Sequence, residues 1–215
     1  MLMRDEREAI VEYCIKLIEH GLTKGTGGNI SVFDREKKIM AISPGGMDYY
    51  KTKPEDVVVM DLDGTIVDGN RKPSSEYLLH KIFYERREDC NSVVHCHSMF
   101  SAVLACLRWP IPATHYMIAL AGKDVRCAEY ATFGTQQLAE NAFEAMKDRN
   151  AALMGNHGLL AVAPDLPNAF NIAEEIEFCA EIYYRGKCVG EPVVLSDAEM
   201  ELMLLRFQQY SKVNK

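Results

Sequence analysis

The strongest constraint on the fold is the alternation of helical and extended patterns along the whole chain. Residues 5–20 carry apolar side chains at i, i+3 and i+4 spacing and end before Gly21, which predicts an amphipathic helix with a glycine cap. Short apolar runs between turn residues alternate with further helical patterns, at about 73–83, 100–107, 135–147, 168–186 and 197–210. We find no internal repeat and no linker rich in Pro, Gly or Ser. These patterns predict a single α/β domain spanning residues 1–215.

Composition excludes several classes of partner. The chain has 215 residues, 48% of them hydrophobic, which is enough for a full core without metal or disulfide crosslinks. Its net charge is −7 and it has no block rich in Lys or Arg, so we expect neither nucleic acid nor an anionic membrane as a partner. The longest apolar runs are far shorter than the roughly 20 residues of a membrane-spanning helix.

Two features of the sequence bear on the compartment. The first ten residues, MLMRDEREAI, turn acidic before any apolar stretch that could act as a signal peptide. The seven cysteines are odd in number and form no C-x-x-C pair, which suits reduced thiols. We therefore expect a cytoplasmic protein.

Three of the six histidines lie where a metal site would place them. His95 and His97 belong to the strand-like run VVHCHS, so both side chains should project from one face while Cys96 points to the other. His157 follows the apolar run ALMGN and precedes Gly158, which places it in a turn between two strands. The alternative for the H-x-H pair is two unrelated histidines on a surface strand.

A carboxylate would complete a ligand set, and Glu76 is the candidate. Ser74, Ser75 and Glu76 open a predicted helix, with one of the serines as its N-cap. Three imidazoles and one carboxylate suit Zn²⁺, although Mn²⁺, Co²⁺ or Fe²⁺ are chemically allowed. The other two histidines of interest have ordinary explanations: His20 ends a helix and should interact with its dipole, and His80 should lie on a polar helix face.

Six short runs carry a family resemblance. The runs are GTGGNISV, PSSE, VVHCHS, THYMIALAG, YATFGT and GNHGLLA, and together they resemble the class II sugar-phosphate aldolase and epimerase family from about residue 5 to residue 210. The resemblance implies a three-layer α/β/α fold with a mainly antiparallel central sheet flanked by helices. It also implies one Zn²⁺ per subunit and a homotetramer with active sites at the subunit interfaces.

The resemblance also implies roles for particular residues. The metal ligands would be Glu76, His95, His97 and His157, and the catalytic groups would be Glu76 and Tyr116, the tyrosine coming from a neighbouring subunit. The phosphate would be bound by Gly28, Asn29, Gly45, Gly46, Ser74 and Ser75. The aldehyde pocket would contain Phe133, Phe207 and Tyr210. Gly45 departs from the family pattern, which often has a hydroxyl there, so backbone N–H groups would replace it.

The chemistry implied by the family is a reversible carbon–carbon cleavage. L-fuculose 1-phosphate would give dihydroxyacetone phosphate and L-lactaldehyde through an enediolate whose negative charge the metal stabilises. Tyr116 would take the proton from the alcohol whose carbon leaves, and Glu76, released from the metal by the substrate's oxygens, would protonate the enediolate carbon. No lysine lies in an apolar strand, which argues against Schiff-base chemistry.

Other functions remain open on the sequence. Within the family, the alternatives are an L-ribulose-5-phosphate 4-epimerase, a different aldolase of small deoxyketose 1-phosphates, or a non-catalytic head domain. The chain reads S-S-E and H-Y-M where the epimerases tend to read S-S-D and H-x-D, which favours an aldolase. Outside the family, VVVMDLDGT resembles the haloacid-dehalogenase phosphatase motif with Asp61 as nucleophile, but the chain has no Gly-Asp dipeptide for the second motif.

Overall fold

The computed structural model describes residues 1–213, without the side chains of residues 208 and 210–213. The strands are β1 (Asn29–Asp34), β2 (Ile39–Ile42), β3 (Val58–Asp61), β4 (Ile66–Asp68), β5 (Ser92–Cys96), β6 (Arg126–Ala128), β7 (Ala151–Met154) and β8 (Gly158–Ala163). The helices are α1 (Arg4–Glu19), α2 (Tyr77–Arg86), α3 (Met99–Leu107), α4 (Gln136–Ala145), α5 (Leu166–Val189) and α6 (Asp197–Val213). Short 3₁₀ segments occur at Tyr49–Lys51, Pro54–Asp56 and Tyr116–Leu120.

The eight strands form one sheet in the order β4-β3-β2-β1-β5-β8-β7-β6. Every neighbouring pair is antiparallel except β6 and β7, which run parallel. The predicted mainly antiparallel sheet is therefore confirmed. The order places β1, β5 and β8 side by side at the centre. The start of β1, the end of β5 and the start of β8 therefore lie next to one another at the same end of these strands.

Apolar side chains on both faces of the sheet create two cores. In β2, Ile39 and Ala41 point to one face while Met40 and Ile42 point to the other, as the period of two requires. Helices α1, α3 and α5 pack on the first face, and α2 and α4 pack on the second. This gives the three layers that the resemblance predicted. None of the helices in residues 1–213 combines the length and the apolar character needed to cross a membrane.

The run VVVMDLDGT, which resembles the haloacid-dehalogenase motif, forms a β-strand and the hairpin turn that follows it. Strands β3 and β4 form the predicted hairpin, and Gly64 in its turn has φ of 91°. The Asp61 carboxylate accepts hydrogen bonds from the backbone N–H groups of Asp63 and Thr65, at 3.0 and 2.8 Å. Aspartate side chains commonly stabilise turns in this way, which accounts for the D-x-D-G-T pattern.

The start of α2 differs from its prediction. Neither serine is the N-cap: the helix begins at Tyr77 and Glu76 takes the cap position. The N–H of Ser74 donates to the carbonyl of Ser43, which ties this segment to the loop after β2 and delays the helix. The Ser74 hydroxyl then accepts from the N–H of Glu76 at 3.3 Å. The serines therefore form the turn that precedes the helix.

Candidate metal and active site

The structure brings His95, His97 and His157 together at one edge of the sheet. His95 lies in β5, His97 lies one residue beyond its end, and His157 lies in the turn that joins β7 to β8. Because β5 pairs with β8, that turn is held beside the end of β5. Their candidate ligand atoms all lie within 4.8 Å of one another, and the Nε2 atoms of His95 and His97 are 3.0 Å apart.

Burial favours the neutral form of all three imidazoles, in which one ring nitrogen carries a lone pair. Burial lowers the pKa of all three, and that of His95 lies well below its ordinary value because of burial first and the neighbouring His157 and His97 second. The Nδ1 of His95 is 2.9 Å from the carbonyl of Leu159 and donates to it. The Nε2 of His95 is then the unprotonated nitrogen and faces the other two rings.

Glu76 completes the cluster from the start of α2. Its Oε2 lies 3.4 Å from Nε2 of His95, and its Oε1 lies 3.4 Å from Nε2 of His157. Oε2 accepts a hydrogen bond from the Asn29 amide at 3.0 Å. Oε1 is buried and has no hydrogen-bond partner among the residues that the structure describes.

This arrangement fits a divalent cation. A buried carboxylate oxygen without a donor, facing imidazole lone pairs, is unfavourable unless a cation satisfies both. Three neutral histidines and one carboxylate form a set of nitrogen and oxygen ligands typical of transition-metal sites. The four predicted residues therefore fit a divalent cation, because its charge would stabilise both the buried carboxylate and the imidazole lone pairs.

A glycine loop before β1 packs directly on the histidine strand. Gly28 has φ of +76°, and a Cβ atom there would lie 2.6 Å from the carbonyl oxygen of His95. A Cβ at Gly27 would lie 2.8 Å from Nδ1 of His97. The Tyr49 hydroxyl donates to the Gly28 carbonyl at 2.6 Å and so anchors the loop. Only glycines allow this close approach.

The cluster opens into a cleft of about 380 Å³. It is lined by Thr26, Gly27, Gly28, Asn29, Pro44, Gly45, Gly46, Ser74, Ser75, Glu76, His97, Tyr130, Ala131, Phe133, Asn156 and His157. All six predicted phosphate-binding residues are in this set. Within residues 1–213, the N–H groups of Gly28, Gly46 and Ser75 donate to no protein acceptor. The N–H of Gly45 instead donates to the carbonyl of Lys72, so it cannot replace the missing hydroxyl there.

The predicted aldehyde-binding residues are divided between two places. Phe133 lies in the cleft wall next to Tyr130, and its side chain is 65% exposed. Tyr116 lies outside the cleft, and its ring stacks on that of Phe207 with 6.3 Å between centroids. The Tyr210 side chain lies outside the described residues. Of the predicted aldehyde-pocket residues whose side chains the structure describes, Phe133 alone lines the cleft.

His80 is where the sequence-based expectation is wrong. It is fully buried, and burial lowers its pKa to about 3. Its ring contacts the Ser31 hydroxyl at 2.7 Å and the Asn29 side chain. The spacing held a signal for this position, because His80 follows Glu76 by four residues and precedes the buried Tyr84 by four, which puts all three on one helix face.

Glu177 supports the site from the opposite helix layer. Its carboxylate accepts hydrogen bonds from the hydroxyls of Ser98 and Ser101, each at 2.7 Å, and from the N–H of Phe100 at 2.7 Å. These groups form the start of α3, immediately after His97. No local sequence signal could have found this residue, because Glu177 lies inside the long helix α5, about 80 positions away.

Comparison with known proteins agrees with this geometry. Residues 8–184 match the model of the class II aldolase and adducin N-terminal domain family, so the chain belongs to this family. Its relatives identify it as an aldolase-type lyase, which excludes the phosphatase alternative.

Three relatives carry names that state the substrates of those proteins. The chain is 56% identical to 5-deoxy-D-ribulose 1-phosphate aldolase of Bacillus thuringiensis serovar kurstaki, over 99% of this chain and 100% of that protein. It is 40% identical to L-fuculose phosphate aldolase of Escherichia coli strain K12, over 94% and 93%. A solved structure of an L-fuculose 1-phosphate aldolase superposes with a TM-score of 0.95 at 56% identity, covering 97% of this chain and 98% of that one.

Proposed function

We propose that this enzyme is a divalent-metal-dependent aldolase that cleaves 1-phosphorylated deoxyketoses between C3 and C4. The products would be dihydroxyacetone phosphate and a short aldehyde. The observation that carries this proposal is Oε1 of Glu76, which has no hydrogen-bond partner within residues 1–213 and lies beside three histidines in a cleft that also contains free backbone donors.

Two substrates follow from the relatives. 5-Deoxyribulose 1-phosphate would release acetaldehyde, and L-fuculose 1-phosphate would release L-lactaldehyde, so both end in a methyl group. The aromatic rings of Tyr130 and Phe133 in the cleft wall suit such an apolar end. We place 5-deoxyribulose 1-phosphate first because the relative that acts on it shares 56% identity over its whole length. L-fuculose 1-phosphate, which the sequence analysis favoured, is the second candidate.

The metal we propose is one Zn²⁺ per subunit, held by Glu76, His95, His97 and His157. When bound, the ion would act as a Lewis acid and stabilise the negative charge that develops on the substrate's carbonyl oxygen. The class II family is generally metal-dependent, which agrees with this assignment. Manganese, cobalt and iron remain chemically suitable for the same ligands.

Glu76 is our candidate for proton transfer at carbon. Its Oε2 is held by the Asn29 amide, whereas its Oε1 receives no donor from the described part of the chain and is the oxygen able to take or return a proton. In cleavage, Oε1 would take up a proton from solvent in the cleft and deliver it to C3 of the enediolate, which balances the proton that leaves the C4 hydroxyl. In the reverse reaction it would remove the proton from the hydroxymethyl carbon of dihydroxyacetone phosphate.

We propose that neutral donors bind the phosphate. Gly28, Asn29, Gly45, Gly46, Ser74 and Ser75 all line the cleft, and the N–H groups among them that have no acceptor within residues 1–213 belong to Gly28, Gly46 and Ser75. Backbone N–H groups in a concave surface can bind an anion without a basic side chain, and here they come from three separate segments of the chain.

We also propose a homotetramer whose interfaces complete each active site. Tyr116 is 48% exposed and stacks on Phe207 away from its own subunit's cleft. In the proposed tetramer, a neighbouring subunit would present both rings to the cleft, and Tyr210 stays a prediction because its side chain lies outside the described residues. Tyr116 would then take the proton of the C4 hydroxyl during cleavage.

A cleavage assay with three substrates tests the proposed function. Purified enzyme would be given 5-deoxyribulose 1-phosphate, L-fuculose 1-phosphate and L-ribulose 5-phosphate, before and after chelation, and after Zn²⁺ is restored. We expect dihydroxyacetone phosphate from the first two, with the larger kcat/KM for the first, and loss of the activity on chelation. Epimerisation of the third substrate without cleavage of the others would contradict the proposal.

A further inference from the structure

A continuous row of buried hydrogen bonds ends at Glu76. The Tyr84 hydroxyl lies 2.5 Å from the Ser31 hydroxyl, which lies 2.7 Å from Nδ1 of His80. The Nε2 of His80 lies 2.5 Å from Oδ1 of Asn29, and Nδ2 of Asn29 lies 3.0 Å from Oε2 of Glu76. All five side chains are at least nine-tenths buried, so water does not compete for these bonds.

The row has only one consistent direction. An ionised carboxylate can only accept, so the Asn29 amide must donate to Glu76 through its nitrogen and turn its oxygen to His80. That oxygen can only accept, so Nε2 of His80 must carry the proton. His80 is neutral because it is buried, so its Nδ1 is an acceptor and the Ser31 hydroxyl donates to it. The oxygen of Ser31 then accepts from Tyr84.

We propose that His80 is a positioning residue for Glu76, and that its Nε2–H tautomer fixes the orientation of the Asn29 amide. With the amide turned the other way, two acceptor oxygens would face each other at the Asn29–Glu76 contact, and the carboxylate would rotate away. The fixed amide holds Oε2 and leaves Oε1 for His157 and the cleft. This inference rests on the proposed function in giving Glu76 the proton-transfer role.

The test uses two substitutions of similar polarity at His80. In His80→Asn, the shorter amide can replace Nδ1 beside Ser31 but does not reach Asn29. In His80→Gln, the amide nitrogen can replace Nε2 and donate to Asn29. The control is Tyr84→Phe, which removes a buried hydrogen bond from the same row while the Ser31 hydroxyl still donates to His80.

Three measurements separate positioning from simple core packing. The first is the tautomer of His80 in the wild-type protein, read by ¹⁵N NMR of histidine-labelled enzyme. The second is the Zn²⁺ dissociation constant of each variant. The third is the exchange of the hydroxymethyl proton of dihydroxyacetone phosphate in D₂O, which does not require an aldehyde.

We expect the Nε2–H tautomer, and a loss of about 10–100-fold in exchange rate and Zn²⁺ affinity for His80→Asn, as is usual when a residue behind a metal ligand is removed. His80→Gln should recover most of both, and Tyr84→Phe should lower thermal stability without lowering exchange. An Nδ1–H tautomer, equal behaviour of the Asn and Gln variants, or an equal loss in Tyr84→Phe would overturn the inference.

Failure of the proposed function would look different. A wild-type enzyme that binds dihydroxyacetone phosphate but exchanges no proton would refute the role of Glu76 in catalysis. The tautomer and the Zn²⁺ affinities of the two His80 variants would still decide whether His80 positions the carboxylate.

Discussion

Replacing Gly28 by Ala should damage the metal site far more than it damages the fold. Gly28 has φ of +76°, a conformation that costs an L-residue about 1–2 kcal/mol. Its added Cβ would also lie 2.6 Å from the carbonyl oxygen of His95, although Cβ atoms rarely come closer than 3.0 Å to any other atom. The two backbones must therefore separate by about 0.4 Å, and one of them carries a proposed metal ligand.

Gly25 provides a matched control in the same loop. It has φ of +63°, and no described atom lies within 4 Å of a Cβ built there. Gly25→Ala therefore carries the conformational cost without the collision. For a chain of this size, about 1–2 kcal/mol corresponds to a fall of roughly 2–8 °C in Tm.

The assay compares both variants with the wild-type enzyme in Tm, Zn²⁺ affinity and exchange of dihydroxyacetone phosphate in D₂O. Gly25→Ala should show only the fall in Tm. Gly28→Ala should show a larger fall and lose about 10–100-fold in affinity and exchange, because Asn29 and His95 are paired across β1 and β5 and move together. Equal results for the two variants would refute the reasoning that close backbone contact positions the site.

Four further predictions follow from the same geometry. His157→Ala should lose its stoichiometric metal, measured by elemental analysis after dialysis, while circular dichroism shows a retained fold. Between about pH 6.5 and 3, unfolded His80 binds a proton that folded His80, with its pKa lowered to about 3 by burial, does not, so stability falls as pH falls. The free energy of unfolding of the metal-free protein can be measured by urea titration at several pH values. Its change with pH in this range should be smaller in His80→Gln by about 1.4 kcal/mol per pH unit. Ser75→Ala, which removes the hydroxyl and keeps the free N–H, should weaken binding of dihydroxyacetone phosphate about tenfold or more, and leave binding of unphosphorylated dihydroxyacetone nearly unchanged, by calorimetry. Deleting residues 206–215 should preserve proton exchange and metal binding but slow cleavage of the whole ketose phosphate, by coupled assay.

The cluster of proposed metal ligands could be predicted in large part from local patterns. His95 and His97 are two residues apart around a strand end, and His157 lies between two apolar runs, so secondary structure alone limits where each can point. Glu76 and the two serines were also found locally, although the helix begins later than the serines suggested. Ligand chemistry suggested the grouping and the family resemblance implied the same four residues, whereas nothing in the spacing alone says that β5 and β8 are neighbours.

The supporting residues could not be predicted because their partners are distant in the sequence. His80 looked like a polar helix residue, and its role depends on Asn29 and Ser31, about 50 positions earlier. The direction of the Gly45 N–H depends in the same way on a carbonyl in a different loop, that of Lys72. A buried polar side chain is tolerated only if its partners arrive with the fold, and single-sequence patterns do not contain those partners.

These supports come from both helix layers, one on each face of the sheet. From one face of the sheet, α2 presents His80 to Asn29 and, through it, to Glu76. From the other face, α5 presents Glu177 to the first turn of α3, directly after His97. The proposed metal ligands are therefore supported by groups anchored in two separate cores. A substitution in either core that shifts one helix should change metal affinity before it unfolds the protein, because displacements well below 1 Å matter at a metal site and scarcely matter to a hydrophobic core.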